Sequence, residues 1–159
     1  QASPDLGSTV GRLIGTTKHY GEANHMSLTI TPIYAGVLAL MFVMLSFRVI
    51  GRRRAAKVRV GDGSDILLQR RLRVHGNFAE YVPLALVLML LLELQGKSAV
   101  VIHVVGALLI IGRVIHAIGL GREPDLMLCR VLGMVLTFVA LIVGALANLG
   151  LSSLVSVAV

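Results

Sequence analysis

Arg73, Asn77 and Glu80 stand at i, i+4 and i+7, with Tyr81 directly after them. On a helix that spacing puts the first three side chains on one face. Arg113 and His116 follow at i, i+3, and Arg130 lies near the start of a later apolar run. Guanidinium groups beside one carboxylate and one amide suit a small zwitterion with more than one carboxylate. Arginine grips carboxylates bidentately, and Glu80 can take an ammonium. The same residues have a structural reading, in which Glu80 and Arg113 form a buried ion pair and Asn77 bridges two helices. That reading leaves three further cations at the same level without an anion. No cluster of His, Cys and Asp has metal-ligand spacing, so no metal is expected. Cys129, the single cysteine, allows no intrachain disulfide. It is read as a small apolar helix residue and not as a nucleophile.

The elements that carry these groups follow from composition. The 159 residues are 56% hydrophobic and 14% charged, with a mean hydropathy of +0.86, outside the range of soluble domains. A span needs roughly 20 apolar residues. Four windows qualify, at about Leu28–Val49, Tyr81–Leu94, Ala99–Leu120 and Leu126–Leu149. Lipid offers the backbone no hydrogen-bond partner, and the runs lack the alternation of a barrel strand. The expected fold class is therefore all-α, an integral membrane four-helix bundle. Gly61-Asp62-Gly63-Ser64-Asp65 reads as a turn with an N-cap at Ser64 or Asp65, so the second helix is expected to start there and run into its span. Gln95-Gly96-Lys97-Ser98 reads as a tight turn, and Glu123-Pro124-Asp125 as a stop before the fourth helix.

The net charge of +7 does not point to nucleic acid, because nine of the fifteen Lys and Arg lie between Arg48 and Arg73. Such a run between two spans is topogenic and attracts anionic lipid. The positive-inside rule makes the first and third loops cytoplasmic and puts both termini on the opposite side. Arg73, Asn77, Glu80, Arg113, His116 and Arg130 then reach similar depth near the cytoplasmic face from three helices, and groups of this kind in a membrane usually mark a working site. Residues 1–26 are polar and rich in Gly, Ser and Thr. They are read as a vector-derived leader or a natural tail, with Met26 the expected start of a membrane domain over 27–159. Duller readings go to His75, expected at the membrane surface, to Glu93 and His103 as interfacial groups, and to Asn148 as interhelical glue. Gly106, Gly112, Gly133 and Gly144 are expected at close helix contacts.

The segment Arg73-Val74-His75-Gly76-Asn77-Phe78-Ala79-Glu80-Tyr81-Val82-Pro83 resembles the second-helix signature of the MAPEG family, the membrane-associated proteins in eicosanoid and glutathione metabolism. Arg113-Val114-Ile115-His116-Ala117 resembles that family's third-helix motif. The resemblance covers about Thr31–Leu149 and looks closest to small bacterial members, which implies an inner-membrane location. It implies a homotrimer that binds glutathione between subunits at the cytoplasmic side. Glutathione has the ligand chemistry described above, with two carboxylates, one ammonium and a thiol. Carried over, Arg73, Asn77 and Glu80 hold the glutathione backbone with Tyr81 beside them, and Glu80 is the ammonium partner. Arg113 and His116 line the same site, and Arg130 stabilises the thiolate. Arg48 is a weaker candidate for contact with the second substrate, a lipophilic electrophile.

Two departures narrow the implied activity. Leu120 stands where several animal members carry a tyrosine, and Val131 stands where the prostaglandin-forming member has a serine. Transferase or peroxidase chemistry needs only the thiolate and an apolar electrophile arriving from the lipid. The competing function is a non-enzymatic glutathione-binding or structural trimer. An exporter of lipophilic cations needs an acid near mid-depth, whereas the first span has none and Glu80 is surrounded by arginines.

Overall fold

The computed structural model describes residues 28–122, 124 and 126–150, so the leader or tail expected over 1–26 lies outside the described residues. Four helices follow in order: α1 Thr31–Ala55, α2 Ile66–Leu94, α3 Ala99–Leu120 and α4 Met127–Asn148. Each is long and apolar enough to cross a membrane, and no strand occurs among the described residues. The chain is an integral membrane protein of the all-α class. Pro32 sits in the first turn of α1, where its missing N–H costs nothing. That helix continues six residues past Val49 through the arginine run. Basic side chains in a last turn complement the helix dipole and reach water from the hydrocarbon edge.

α2 starts where the turn motif requires. Asp65 caps it, accepting the Leu68 N–H at 2.7 Å, and Arg52 closes on the same carboxylate with Nε and Nη2 at 3.0 and 2.6 Å. The Arg52 guanidinium, and after it the Leu68 N–H, hold the Asp65 carboxyl below the usual carboxylate range. A depressed carboxylate contributes stability above its unfolded value near pH 4 and loses it as pH falls through the folded value. Acid melting curves should therefore show a limb below about pH 4 that flattens in Asp65→Asn; identical limbs in the two proteins would contradict the cap.

The other end of the bundle is tied by Glu93. Ile30, the N-cap of α1, provides no side-chain acceptor. The Glu93 carboxylate takes the Thr29 and Ile30 N–H groups on Oε1 at 2.6 and 2.7 Å and the Thr31 N–H on Oε2 at 2.7 Å. The group expected to be merely interfacial is thus the cap of another helix. Glu93→Ala should cost about 1–2 kcal/mol, the usual scale of a lost N-cap, read as a lower melting temperature in detergent. An unchanged midpoint would show the cap to be idle. Asn148 bridges α4 to α2 as expected, donating to Leu88 O at 3.1 Å and accepting from Gln95 at 2.8 Å. His75 departs from expectation. It is half-buried, stacked on Phe42 at 4.5 Å with Nε2 3.0 Å from Ser46 Oγ, because α1 packs over this face of α2.

α3 and α4 approach most closely, and glycine permits it. A Cβ on Gly133 would lie 2.5 Å from His116 N and 2.7 Å from Gly112 O; one on Gly119 would lie 2.5 Å from Arg130 N. Backbone cannot yield to such contacts, so these positions fix His116 and Arg113 against α4. Gly119 was not among the glycines expected there. Gly106 makes its close approach to the Tyr34 ring, and Gly144 meets Leu88 at ordinary contact distance.

Candidate functional site

Depth along each helix brings the polar groups together. At 1.5 Å per residue, Glu80 and Asn77 lie about 21 and 26 Å from the end of α2 at Leu94. Arg113 and His116 lie about 21 and 26 Å from the start of α3, and Arg130 about 27 Å from the end of α4. All five therefore sit in the half of the bundle nearer the basic α1–α2 connection.

There a cleft of about 890 Å³ opens on the flank of the bundle. Arg73, Asn77 and Glu80 of α2, His116 and Leu120 of α3, and Arg130 and Met134 of α4 line it. Five of the seven residues singled out in the sequence therefore share one cavity. Arg73, Glu80 and Arg130 are exposed along it and Asn77 is half-buried. Beyond Arg73 the cleft continues past Arg70 and Gln69 to Asp62, a stretch that sequence reasoning did not assign because its residues resemble any polar surface.

Tyr81 and Arg113 do not line the cleft; they stand behind its wall. Arg113 is only 2% exposed. Its Nη1 donates to Asn77 Oδ1 at 2.5 Å, and its Nη2 donates to Thr137 Oγ1 at 2.5 Å and lies 3.4 Å from Met134 Sδ. The guanidinium carbon is 5.7 Å from the centre of the Tyr81 ring, which itself meets Phe138 edge-on at 5.6 Å. Arg113 forms no ion pair with a described carboxylate, Glu80 included. The ion-pair reading of Glu80 with Arg113 is thus not what the structure holds, whereas the bridge from Asn77 is present.

Two donor assignments follow. Guanidinium can only donate, so the Asn77 atom facing Arg113 is oxygen and its Nδ2 amide is left for the cleft. A carbonyl can only accept, so His116 Nδ1, 3.2 Å from Arg130 O, carries a proton. In the neutral ring Nε2 is then an acceptor, and it is buried without a partner. His116 is 4% exposed and lines the cleft. The site thus offers an ordered N–H donor at Asn77, a carboxylate at Glu80, guanidiniums at Arg73 and Arg130, and an unfilled imidazole acceptor. Thr137, which anchors Arg113 and donates to Gly133 O at 2.8 Å, was missed in the sequence. A threonine one turn after Gly133 in an apolar span was the available signal, since a lone hydroxyl there must find a partner.

This geometry defines a polytopic four-helix membrane protein with a polar, cation-rich cleft near its basic end. Residues 31–150 match the MAPEG family, and the chain belongs to it. The inner membrane protein YecN of Escherichia coli, in two strains, is 38% identical over 120 residues, covering 76% of this chain and 90% of the relative. No solved structure matches the chain.

Proposed function

We propose that this chain is a glutathione-dependent transferase or peroxidase of the inner membrane. In this reading it binds glutathione in the flank cleft near the cytoplasmic face, between subunits of a homotrimer, and acts on hydrophobic electrophiles delivered by the lipid. One observation carries this reading: α2, α3 and α4 bring Arg73, Asn77, Glu80, His116 and Arg130 to a single cleft. The mixed charge matches the ligand. Arg73 takes a carboxylate, Glu80 the ammonium, and the Asn77 amide a carbonyl or carboxylate oxygen. His116 Nε2 accepts from an N–H or the thiol.

Arg130 stabilises the thiolate. A free thiol titrates near 8.5, and an adjacent guanidinium lowers that value. The sulfur then bonds to the electrophilic carbon while the leaving group departs with its electron pair. The family relationship supports glutathione as the co-substrate, and the relative's inner-membrane name supports the location. The trimer is supported by exposure: Glu80 is exposed on the flank at a depth inside the hydrocarbon, where an ionisable group needs cover from a second copy.

The test is conjugation of glutathione to 1-chloro-2,4-dinitrobenzene by the detergent-purified chain. The expected result is turnover above the uncatalysed rate, falling about 10²-fold in kcat/KM in Arg130→Ala, the scale of a lost anion-stabilising donor. A second reading is a non-enzymatic glutathione-binding trimer, favoured by the alkyl side chain of Leu120 in the cleft wall. Glutathione binding with no turnover of aryl halide or hydroperoxide would select it.

A further inference from the structure

One stripe of α2 runs unbroken along the cleft. Ile66, Gln69, Arg70, Arg73, Asn77 and Glu80 line it, at i, i+3, i+4, i+7, i+11 and i+14, a spacing that keeps them on one helix face. From Ile66 to Glu80 the stripe is about 21 Å long. Glutathione is a tripeptide, and three residues at full extension reach roughly 11 Å. A molecule held between Glu80 and Arg73 therefore fills the lower half of the cleft. The upper half, from Arg73 toward the α1–α2 connection, stays open.

The upper half has its own chemistry. Arg73 lies about 32 Å from the end of α2 at Leu94, at the edge of a hydrocarbon layer of about 30 Å, so an occupant above it is water-soluble. Asp62 supplies a carboxylate there. Its Oδ1 accepts the Ser64 N–H at 3.0 Å, and its second oxygen has no partner among the described residues. Arg70 is held beside the cleft by donating through Nη1 to Arg122 O at 2.9 Å, and Gln69 is exposed. A carboxylate, a guanidinium and an amide thus recur in the upper half, the set that Glu80, Arg73 and Asn77 form in the lower. Arg130, about 27 Å from the end of α4, lies just below the junction of the two.

We propose that the upper half binds a second glutathione, its ammonium on Asp62 and a carboxylate on Arg70, so that two thiols meet near Arg130. This rests on glutathione as the co-substrate of the lower half. The acceptor is then a hydroperoxide. The thiolate at Arg130 attacks the terminal peroxide oxygen, the O–O bond breaks, and the alkoxide leaves with the proton that the thiol gave up. The second thiolate attacks the sulfenic acid so formed. An S–S bond forms, and hydroxide departs and takes the second thiol's proton as water. Two glutathiones are oxidised to the disulfide while the hydroperoxide is reduced to an alcohol and water. The two ammonium groups and four carboxylates of that disulfide meet two carboxylates, three guanidiniums and two amides in the cleft.

The experiment is calorimetric titration of the detergent-purified full chain with reduced glutathione and with glutathione disulfide, in the parent, Asp62→Asn, Arg70→Gln and Glu80→Gln. Asparagine keeps the acceptor for the Ser64 N–H, so Asp62→Asn spares the turn and serves alone if Arg70→Gln does not fold. The disulfide should bind once per chain. Asp62→Asn and Arg70→Gln should each weaken it about tenfold, the loss of one charge-assisted contact, and shift the tighter reduced-glutathione site less than twofold. Glu80→Gln should weaken both ligands. Disulfide affinity unchanged in Asp62→Asn, or both ligands weakened equally by it, overturns the second site while a Glu80-dependent glutathione site stands. Failure of reduced glutathione to bind at all removes the lower site, and the second site with it.

Discussion

Thr137→Val should lower the melting temperature of the detergent-solubilised protein by roughly 6–12 °C, from about 3 kcal/mol of lost stability. The substitution keeps the shape and removes the oxygen that accepts Arg113 Nη2 at 2.5 Å. Arg113 is 2% exposed and already has an unpartnered Nε, and without Thr137 its Nη2 keeps just the longer contacts to Gly133 O at 3.5 Å and Met134 Sδ at 3.4 Å, which do not replace a short bond to a hydroxyl. Charged donors left unsatisfied in a buried setting carry the largest such penalties. Thr137→Ser, which restores the hydroxyl, should recover most of the loss. The double variant Arg113→Met with Thr137→Val should be more stable than Thr137→Val alone, because the unpaired charge leaves with its acceptor. If Thr137→Val melts with the parent, the guanidinium is hydrated and the hydrogen-bonded arrangement behind the cleft does not hold.

Glu80→Gln should weaken glutathione binding by about 10- to 100-fold, the range of a lost charge-assisted hydrogen bond at 1.5–3 kcal/mol. Glu80 is the carboxylate among the cleft residues drawn from the three helices, so the ligand ammonium has no second anion at that level. The charge is the variable, since glutamine keeps the side chain's length. Asn77→Asp supplies the complementary contrast. A carboxylate facing Arg113 would pair with it and stabilise the fold, while the N–H donor offered to the cleft disappears. A variant that melts higher but binds glutathione more weakly would separate the scaffolding role of Asn77 from its ligand role. Tighter glutathione binding in Asn77→Asp would show that the ligand does not use the Asn77 N–H.

The helices were legible because length, apolarity and capping agree. Asp65 caps α2 as its turn motif requires, and continuous apolar runs in a lipid solvent leave no alternative to helix. The shared depth of Arg73, Asn77, Glu80, His116 and Arg130 was legible from spacing and helix direction alone. Which side of a wall each side chain faces was not. Arg113 and Asn77 come from different helices, and only the α3–α4 crossing allowed by Gly112, Gly119 and Gly133 turns the guanidinium away from the cleft toward Thr137. Glu93 was unreadable for a similar reason. Its partners are backbone N–H groups more than 60 residues away, and every residue type carries such donors, so the sequence holds no mark of them. His75 misled because it precedes the apolar window of its helix in sequence, whereas its neighbours in space are Phe42 and Ser46 of α1.

The most direct test of the central claim is equilibrium binding of glutathione to the detergent-purified chain, with thiolate absorbance followed across pH in the parent, Glu80→Gln and Arg130→Ala. The expected result is saturable binding, weakened in Glu80→Gln, with a thiolate signal that persists below pH 8 in the parent and moves to higher pH in Arg130→Ala, on the reasoning that a free thiol titrates near 8.5. Absence of binding at millimolar glutathione would contradict the account and leave the cleft to another anion.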